Sequence, residues 1–299
     1  MQYASPTTLD EAIDLLSQGG AQAKPMAGGT DLLVQMRTGR SRPDLVVDLK
    51  KIPGLRDIEE SPDGFRIGAA VSGAELGEHP PLREAWPGVV EATELIGSTQ
   101  VQGRASLGGN LCNASPAADS VPALIAAGAV CSMVGPKGRR ELSVEDVVLG
   151  PGQTALEAGE IIVDFRLPRP ALGTGDAYLR MIPRTEMDIA IVGAGVSLTL
   201  SDSGECLACR VALGAVAARP LRVDTAAAAL LNITPDAAAL AELEAAASAA
   251  TDPIDDKRGT RAYRTKVAGV LARRAAEEAI RRARRQRDSE SRYPSGFVS

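Results

Sequence analysis

Residues 103–119 read GRASLGGNLCNASPAAD and residues 25–36 read PMAGGTDLLVQM, two stretches that place paired glycines beside polar side chains. Glycine permits positive φ and a close approach of the backbone to another group, at an entropic cost that a plain surface turn need not incur. We therefore expect both stretches to form glycine loops whose backbone faces a ligand.

The segments around these loops carry helix and strand patterns in an irregular order, which predicts an α+β fold. A capping box at residues 8–11 opens an amphipathic helix. The first glycine loop follows an extended run and leads into helical residues, and residues 81–96 are expected to form one helix. Residues 160–168, EIIVDFRLP, are typical of a strand that ends at Pro168.

A change of composition at residues 169–176 indicates a linker between two domains. The expected boundaries are 1–172 for the first domain and 173–285 for a smaller α+β domain. In the second domain, GAGVSL at 193–198 is interpreted as a core strand, because it lacks the third glycine or alanine of a dinucleotide fingerprint. Residues 286–299 are polar and contain Pro and Gly, which predicts a disordered tail.

Composition and charge argue against several classes of partner. The formal net charge of −5 disfavours binding to nucleic acid or to an anionic membrane. No run of about 18 apolar residues occurs, so no membrane span is expected. The N-terminus lacks the basic and apolar regions of a Sec signal. These features predict a cytoplasmic protein.

The two glycine loops have the composition of an anion site. Successive N–H groups in a glycine turn form a concave donor set, and a following helix N-terminus adds positive charge. The turn at 27–32 suits a diphosphate, and residues 106–110 offer a second cradle beside Asn110 and Asn113. Asp119 could accept hydrogen bonds from ribose hydroxyls. For either loop alone, a structural role in packing a helix on a sheet stays open.

Other catalytic patterns are missing from the sequence. It contains no Walker A run and no Gly-x-Ser-x-Gly elbow, and its single histidine, His79, argues against a Ser-His-Asp triad. Cys206 and Cys209 form one CxxC without a second pair, so no zinc or iron–sulfur site is expected on this chain. Redox chemistry here must therefore come from a bound cofactor.

The glycine motifs also carry a resemblance to a known family. AGGTDLLVQMR at 27–37 and ASLGGNLCNASPAADSVPALIAAGA at 105–129 closely resemble the FAD-binding medium subunit of the molybdenum hydroxylases, the xanthine dehydrogenase and carbon monoxide dehydrogenase family. The resemblance continues through EIIVDFRLP, RTEMDIAIVGAGVSL at 184–198 and KRGTRAYRTKVAGVLARRAAEEA at 257–279. It implies a flavin-binding domain of two α+β subdomains, of the vanillyl-alcohol oxidase and p-cresol methylhydroxylase (PCMH) type, followed by a small α+β domain.

The resemblance implies which residues hold FAD. The two glycine loops would bind the pyrophosphate, Asp119 the ribose side, and Arg180 would lie near the flavin. Ile96 would lie beside the cofactor, and Ile162 would make an apolar contact. With Asn113 added from its place in the second loop, the candidate cofactor-binding residues are Ala27, Gly28, Gly29, Thr30, Asp31, Leu32, Ile96, Ser106, Leu107, Gly108, Gly109, Asn110, Asn113, Asp119, Ile162 and Arg180. No catalytic residue and no metal ligand is expected.

The resemblance also implies partners. A large subunit would carry the molybdenum-pterin cofactor and a small subunit the [2Fe-2S] clusters, in a dimer of heterotrimers. Electrons would pass from the clusters to this FAD and then to an external acceptor. One alternative is a stand-alone FAD oxidoreductase with its own substrate pocket, resembling UDP-N-acetylenolpyruvoylglucosamine reductase; another is a scaffold that has lost its flavin. Neither the substrate of the complex nor the acceptor can be read from this chain.

Overall fold

The computed structural model describes residues 1–184 and 187–292, and it combines helices and strands in an irregular order. The helices are α1 Leu9–Gly19, α2 Leu32–Arg37, α3 Gly73–Gly77, α4 Pro80–Ala85, α5 Pro87–Glu94, α6 Thr99–Gln102, α7 Leu107–Cys112, α8 Ser120–Ala126, α9 Asp224–Ala228, α10 Ala237–Ala249 and α11 Arg261–Arg292. The strands are β1 Gln2–Ala4, β2 Ala23–Met26, β3 Leu45–Asp48, β4 Ile58–Ser61, β5 Gly64–Gly68, β6 Val130–Gly135, β7 Gly138–Ser143, β8 Val148–Gly150, β9 Gln153–Thr154, β10 Ile161–Pro168, β11 Thr174–Met181, β12 Val192–Leu200, β13 Cys206–Gly214 and β14 Leu221–Arg222.

The chain begins with a three-stranded parallel sheet in the order β1-β3-β2. Helix α1 connects β1 to β2, and the Thr8 side chain caps its first turn by accepting a hydrogen bond from the Glu11 N–H at 3.2 Å. Ala12 and Leu16 of α1 are buried against Val47 of β3. This small layer positions the β2–α2 turn, which contains the first glycine pair.

A five-stranded antiparallel sheet follows, in the order β4-β5-β10-β6-β7. Its central strand β10 is the predicted strand at 160–168, which begins one residue later, at Ile161, and ends at Pro168 as predicted. Phe165 of β10 and Ile67 of β5 are fully buried, together with residues of helices α3 to α8. Ile161 and Val163 of β10 pack with α1 and β3 of the first layer, so β10 connects the two layers.

The single helix expected over residues 81–96 is wrong. Helix α4 ends at Ala85 and α5 begins at Pro87, with Trp86 between them at φ −134° and ψ 62°. A proline disfavours helical backbone in the residue before it, so Pro87 ends one helix and starts the next. The break lets the Trp86 indole N–H donate to the Pro168 carbonyl at 2.8 Å, which joins these helices to the end of β10.

The third sheet has four antiparallel strands in the order β11-β12-β13-β14, covered by α9, α10 and α11. The interpretation of GAGVSL as a core strand is confirmed, because it lies within the buried strand β12. Gly175 of β11 allows α11 to lie close to the sheet, since a Cβ there would be 2.1 Å from the Ala279 carbonyl oxygen.

The disordered tail expected from residue 286 is wrong for residues 286–292, which continue helix α11. Tertiary contacts hold this polar segment: the Gln286 side chain accepts a hydrogen bond from Gly173 N–H at 2.9 Å, and Arg287 donates to the Leu200 carbonyl at 2.5 Å. The amino-acid composition of residues 286–292 does not reveal these tertiary contacts, so it led to the wrong expectation. Residues 293–299 of the expected tail, and residues 185–186 within RTEMDIAIVGAGVSL, lie outside the described residues.

Asp176 is a buried carboxyl where α5 meets β11. It is 4% exposed, and its Oδ1 atom has no hydrogen-bond partner. Burial raises the pKa of Asp176 to about 7, against the opposing effects of the Gly88 backbone N–H and of Arg282, while Glu91 raises it further. The folded chain therefore holds a proton on Asp176 at pH values where an unfolded chain has lost it.

We expect Asp176 to make the stability of the chain fall as pH rises. An unfolded Asp ionises near pH ~3.9, whereas folded Asp176 ionises near about 7. Between these values the folded state binds more protons, so the free energy of unfolding decreases with pH. Asp176→Asn should remove this dependence of stability on pH, so the variant should exceed wild type in stability by more at pH 8 than at pH 5. Thermal unfolding of both proteins at the two pH values measures the difference. An equal difference at both pH values would contradict the prediction.

Candidate functional site

A cleft of about 480 Å³ lies between the first and second sheets. Its walls come from β2, the turn that follows it, α2, α7 and the start of β10. Thirteen of the sixteen candidate residues line this cleft, namely Ala27, Gly28, Gly29, Thr30, Asp31, Leu32, Ile96, Ser106, Gly108, Gly109, Asn110, Asn113 and Ile162. The two glycine stretches, more than 70 residues apart, are thus brought together around one space.

Three candidate residues do not line the cleft. Leu107 is 1% exposed and packs into the core below the second sheet. Asp119 is buried, the Arg180 side chain is 6% exposed, and the two are paired at 2.8 Å between a guanidinium nitrogen and Oδ2. Their assignment to the ribose side and to the flavin stays a prediction.

The first glycine stretch forms a turn with free donors. Gly29 has φ +78°, the left-handed conformation that favours glycine. Within the described part of the chain, the backbone N–H groups of residues 28–31 donate no hydrogen bond. Free N–H groups lining a cleft need an acceptor from water or from a ligand, and a run of four is typical of a site for an anion such as a diphosphate.

Lys50 holds this turn in place. Its Nζ donates to the Ala27 carbonyl at 2.8 Å and pairs with Asp48 Oδ1 at 2.6 Å, while the Tyr3 hydroxyl donates to Asp48 Oδ2 at 2.6 Å. Burial raises the pKa of Asp48, but the hydrogen bonds from Lys50 and Tyr3 outweigh burial and lower it overall. The carboxylate therefore stays ionised and fixes the lysine that anchors the turn.

The second glycine stretch is a helix, not the loop that the sequence predicts. Gly108 and Gly109 lie inside α7, neither has positive φ, and the Ser106 side chain caps the helix. Their N–H groups are already used: Gly108 donates to the Ala69 carbonyl at 3.1 Å, and Gly109 donates to Ser106 Oγ at 3.1 Å. Neither of these two glycine N–H groups is therefore free to bind a ligand, in contrast to those of residues 28–31.

The glycines of the two pairs serve different purposes. A Cβ on Gly28 would be 1.8 Å from the Arg104 carbonyl oxygen, and one on Gly108 would be 2.5 Å from that of Ala69. These two glycines let the walls of the cleft pack closely. A Cβ on Gly109 would meet only Ser106 Oγ, at 3.4 Å. Gly109 therefore keeps space in the cleft, where a side chain would fit the protein but occupy the volume of a ligand.

Asn113 ties the two stretches together. Its Oδ1 accepts a hydrogen bond from Gln35 Nε2 at 3.0 Å, and its Nδ2 donates to Asp31 Oδ1 at 3.2 Å. Burial raises the pKa of Asp31. Asn110, the other predicted amide ligand, accepts a hydrogen bond from the Ser120 hydroxyl at 2.7 Å. Asn113 thus fixes the two walls of the cleft relative to each other, whereas Asn110 ties α7 to α8.

Sequence reasoning missed about half of the cleft lining. The unassigned residues are Lys24, Pro25, Met26, Gln35, Ser41, Leu49, Leu55, Ala69, Ala70, Ala105, Cys112, Gly152, Thr154, Leu156, Glu160 and Ile161. Some lie within the quoted stretches, such as Gln35 and Cys112, but were not assigned to the cofactor. Others, such as Glu160, come from segments distant from the glycine motifs. The Glu160 carboxylate forms a bidentate ion pair with Arg140, with both contacts at 2.7 Å.

Asp119 joins the first domain to the third sheet. Its Oδ1 accepts a hydrogen bond from the Tyr178 hydroxyl at 2.8 Å and its Oδ2 one from Arg180 at 2.8 Å. Burial raises the pKa of Asp119 and raises that of Tyr178 well above its usual value. Gly193 of β12 lies against this group, because a Cβ there would be 2.5 Å from the Tyr178 hydroxyl.

Two family models cover most of the chain. Residues 1–170 match the FAD binding domain in molybdopterin dehydrogenase, and residues 177–279 match the CO dehydrogenase flavoprotein C-terminal domain. The chain belongs to the FAD-binding medium subunits of the molybdenum hydroxylases. The family predicted from the glycine motifs is confirmed, and so is the fold of an FAD-binding domain followed by a C-terminal domain. FAD as the cofactor of this oxidoreductase subunit is confirmed as well.

Relatives of this medium subunit match it over nearly their whole length. It is 36% identical to the carbon monoxide dehydrogenase medium chain of Afipia carboxidovorans, over 94% of this chain and 97% of that one. Subunit alpha of the 6-hydroxypseudooxynicotine dehydrogenase complex of Paenarthrobacter nicotinovorans is 29% identical, over 96% and 97%. The structure of carbon monoxide dehydrogenase from Hydrogenophaga pseudoflava superposes with a TM-score of 0.91 at 35% identity, over 94% and 98%.

Two structural observations concern metals and membranes. In residues 1–184 and 187–292 of the medium subunit, no group of three or more His, Cys, Asp or Glu side chains is arranged to hold a metal ion. Among its described helices, none has both the length and the apolar character required to cross a bilayer.

Proposed function

We propose that this chain holds FAD in the cleft and relays electrons from iron–sulfur clusters on a small partner subunit to an external acceptor. The observation that carries the proposal is the turn at 28–31, whose four N–H groups have no hydrogen-bond acceptor among the described residues and lie beside the space that Gly109 keeps open. Such donors suit the pyrophosphate of a dinucleotide.

The remaining lining suits the rest of FAD. Ile96, Ile162 and Leu156 give the cleft an apolar wall on which a flat ring system can pack. When bound, FAD supplies the redox chemistry, and this chain supplies the binding and the orientation. Gln35 and Asn113 keep the two walls at a fixed separation, and Lys50 keeps the phosphate-binding turn in place. These residue roles are part of the proposal.

The partners are proposed from the relatives. The Afipia protein is a medium chain, the Paenarthrobacter protein is a subunit of a dehydrogenase complex, and the Hydrogenophaga enzyme has a molybdenum cofactor with a Mo-pyranopterin moiety. We infer that this chain assembles with a large molybdopterin-binding subunit and a small [2Fe-2S] subunit, as a dimer of heterotrimers in the cytoplasm. Similarity to subunits of complexes supports this relay over a stand-alone oxidoreductase with its own substrate pocket.

The domain boundary near residue 172 is also part of this proposal. It falls in the connection between Pro168, where β10 ends, and Thr174, where β11 begins. The two family models divide at the same connection, with residues 1–170 in one and 177–279 in the other. The C-terminal unit would then extend from residue 173 beyond 285 through the end of α11.

We expect the FAD-loaded chain alone to show no substrate-dependent flavin reduction. Carbon monoxide, a purine, an N-heterocycle and an aldehyde should each leave the absorbance of the oxidised flavin unchanged under anaerobic conditions, because oxidation would occur on the large subunit. The complete complex should bleach the flavin with its own substrate. Chemically reduced flavin on the isolated chain should still pass electrons to an acceptor dye, which serves as the control.

Two results would contradict the relay. One is flavin reduction by substrate on the isolated chain, which would favour the stand-alone oxidoreductase. The other is a purified chain that is colourless and cannot be reconstituted with FAD, which would favour a scaffold.

A further inference from the structure

Cys206 and Cys209 form a CxxC motif that has no role in the proposed relay. Both lie on strand β13 of the third sheet, and neither lines the FAD cleft. Residues three apart on a regular strand point to opposite faces of the sheet. A regular β13 would therefore keep the two thiols apart.

A β-bulge brings the two cysteines to the same face of the sheet. Cys209 pairs with Leu198 on the neighbouring strand β12. Cys206 pairs with Leu200, so the register leaves Leu207 as an extra residue on β13, and Leu207 is 57% exposed. Because Leu198 and Leu200 are alternate residues of β12, they share one face. The cysteines opposite them share that face as well.

The spacing of the two cysteines suits a disulfide. Successive positions on one face of a strand are about 6.6 Å apart, and the Cα atoms of disulfide-bonded cysteines are about 4.4–6.8 Å apart. Both cysteines are free thiols in this structure, and they interact with each other. Their hydrogen bond lowers the pKa of Cys206 and raises that of Cys209. The pair therefore releases its first proton more readily than a lone thiol, and the thiolate is the nucleophilic form.

The surroundings restrict which molecules reach the pair. Cys206 is fully buried, whereas Cys209 is half-buried, so a reagent meets the Cys209 sulfur first. A bulky oxidant such as glutathione disulfide fits poorly there, and a small one fits better. A soft metal ion is disfavoured, because within residues 1–184 and 187–292 no further His, Cys, Asp or Glu completes a set of three ligands.

We propose that Cys206 and Cys209 form a reversible oxidation site for hydrogen peroxide. The Cys209 sulfur attacks one peroxide oxygen, so an S–O bond forms, the O–O bond breaks and hydroxide leaves. The Cys206 sulfur then attacks the Cys209 sulfur, so the S–S bond forms, the S–O bond breaks and a second hydroxide leaves. The two thiol protons convert both hydroxides to water. Two thiols thus lose two electrons, and one peroxide is reduced to two waters.

The position of the bond suits a reversible role more than a structural one. The disulfide would close a loop of only four residues, 206–209. Closing so short a loop restricts the unfolded chain little, so the bond adds little to the stability of the fold. Disulfides in the cytoplasm, the compartment proposed above, are usually transient. The site lies outside the FAD cleft, so this inference does not depend on the relay.

The test treats the purified, FAD-loaded full-length chain with hydrogen peroxide, alkylates the remaining thiols after denaturation, and analyses the peptides by mass spectrometry. The peptide that contains both cysteines should lose two hydrogen atoms, and dithiothreitol should restore both thiols. Cys131 is the internal control, because burial raises its pKa to about 12 and leaves it protonated. The pair should react about tenfold faster than Cys131 or more. FAD occupancy should stay unchanged.

Two single variants test the order of the steps. In Cys206→Ala, peroxide still reaches Cys209 but no partner thiol is present, so dimedone should trap a sulfenic acid on Cys209. In Cys209→Val, the remaining cysteine stays fully covered, so dimedone should trap little. Equal trapping in the two variants would overturn Cys209 as the residue that peroxide oxidises first.

Three results would overturn the site itself. One is two free thiols in the pair after a treatment that fully oxidises free cysteine in the same tube. Another is oxygen added to Cys209 without an S–S bond, which would show that the sulfurs lie too far apart. The third is a purified chain whose two thiols resist alkylation until a chelator removes zinc or copper, which would favour a metal site.

Discussion

Gly109→Val should give a folded chain that retains no FAD after gel filtration. A Cβ at this position meets only Ser106 Oγ at 3.4 Å, so the chain itself accepts a side chain there. Gly109 has helical backbone inside α7 and needs no positive φ. The branches of valine would project into the cleft that we propose as the FAD site and would exclude the cofactor there. The ratio of flavin absorbance to protein measures the outcome.

Gly109→Ala should change FAD affinity and apoprotein stability in opposite directions, which Gly109→Val need not do. Glycine in a helix interior is less favourable than alanine by about 1 kcal/mol, so the apoprotein variant should unfold at a higher urea concentration than wild type. FAD affinity should nevertheless fall, because the added methyl group enters the ligand volume. Gly29→Val should also lose FAD, but there the positive φ of 78° and the Met26 sulfur 3.1 Å from a Cβ add strain within the chain.

Gly103→Val is the matched control for this series. Gly103 precedes α7 with φ −63°, a Cβ there lies 3.6 Å from the Gln100 carbonyl oxygen, and it does not line the cleft. The control should keep full FAD occupancy. Full occupancy in Gly109→Val would instead show that FAD lies elsewhere on the chain.

The sequence identifies the phosphate-binding turn because that feature is local. Two adjacent glycines between an extended run and a helix specify a turn, and Gly29 has the positive φ that such a turn requires. The same reasoning misread the second stretch. Ser106 accepts a hydrogen bond from the N–H of Gly109, three residues on, as helix caps do. Glycine is needed at position 108 of α7 because Ala69 packs directly against it. That neighbour lies about 40 residues away in sequence and cannot be read from the motif.

The rest of the cleft depends on contacts between distant segments. Glu160 opens the stretch EIIVDFRLP, from which only Ile162 was assigned, and it lines the cleft while paired with Arg140 of β7, a long-range contact that the stretch does not reveal. The same limit applies to the tail, where Arg287 reaches the Leu200 carbonyl across the third sheet. Local propensity predicts helices and strands, whereas tertiary contacts between distant segments decide which of their side chains lie together.

Asp119→Ala should destabilise the chain by about 3–5 kcal/mol, since breaking a buried ion pair leaves an uncompensated charge. Arg180 has a side chain that is 6% exposed, and Asp119 is its only ion-pair partner within the described residues. The same substitution removes the acceptor of the buried Tyr178 hydroxyl. Urea unfolding of the apoprotein measures the loss, which is independent of FAD.

The double variant Asp119→Leu/Arg180→Met distinguishes the buried pair from a ribose ligand. Replacing both charges by apolar side chains of similar size removes the unpaired guanidinium, so the double variant should be markedly more stable than Asp119→Ala. If Asp119 bound the ribose of FAD directly, Asp119→Ala would lower FAD affinity with little loss of apoprotein stability. Adding Arg180→Met would then not restore FAD affinity. The geometry favours the first outcome, because both carboxylate oxygens already accept hydrogen bonds from Tyr178 and Arg180. Asp119 then affects the site indirectly. It holds strand β11 of the third sheet against the start of helix α8.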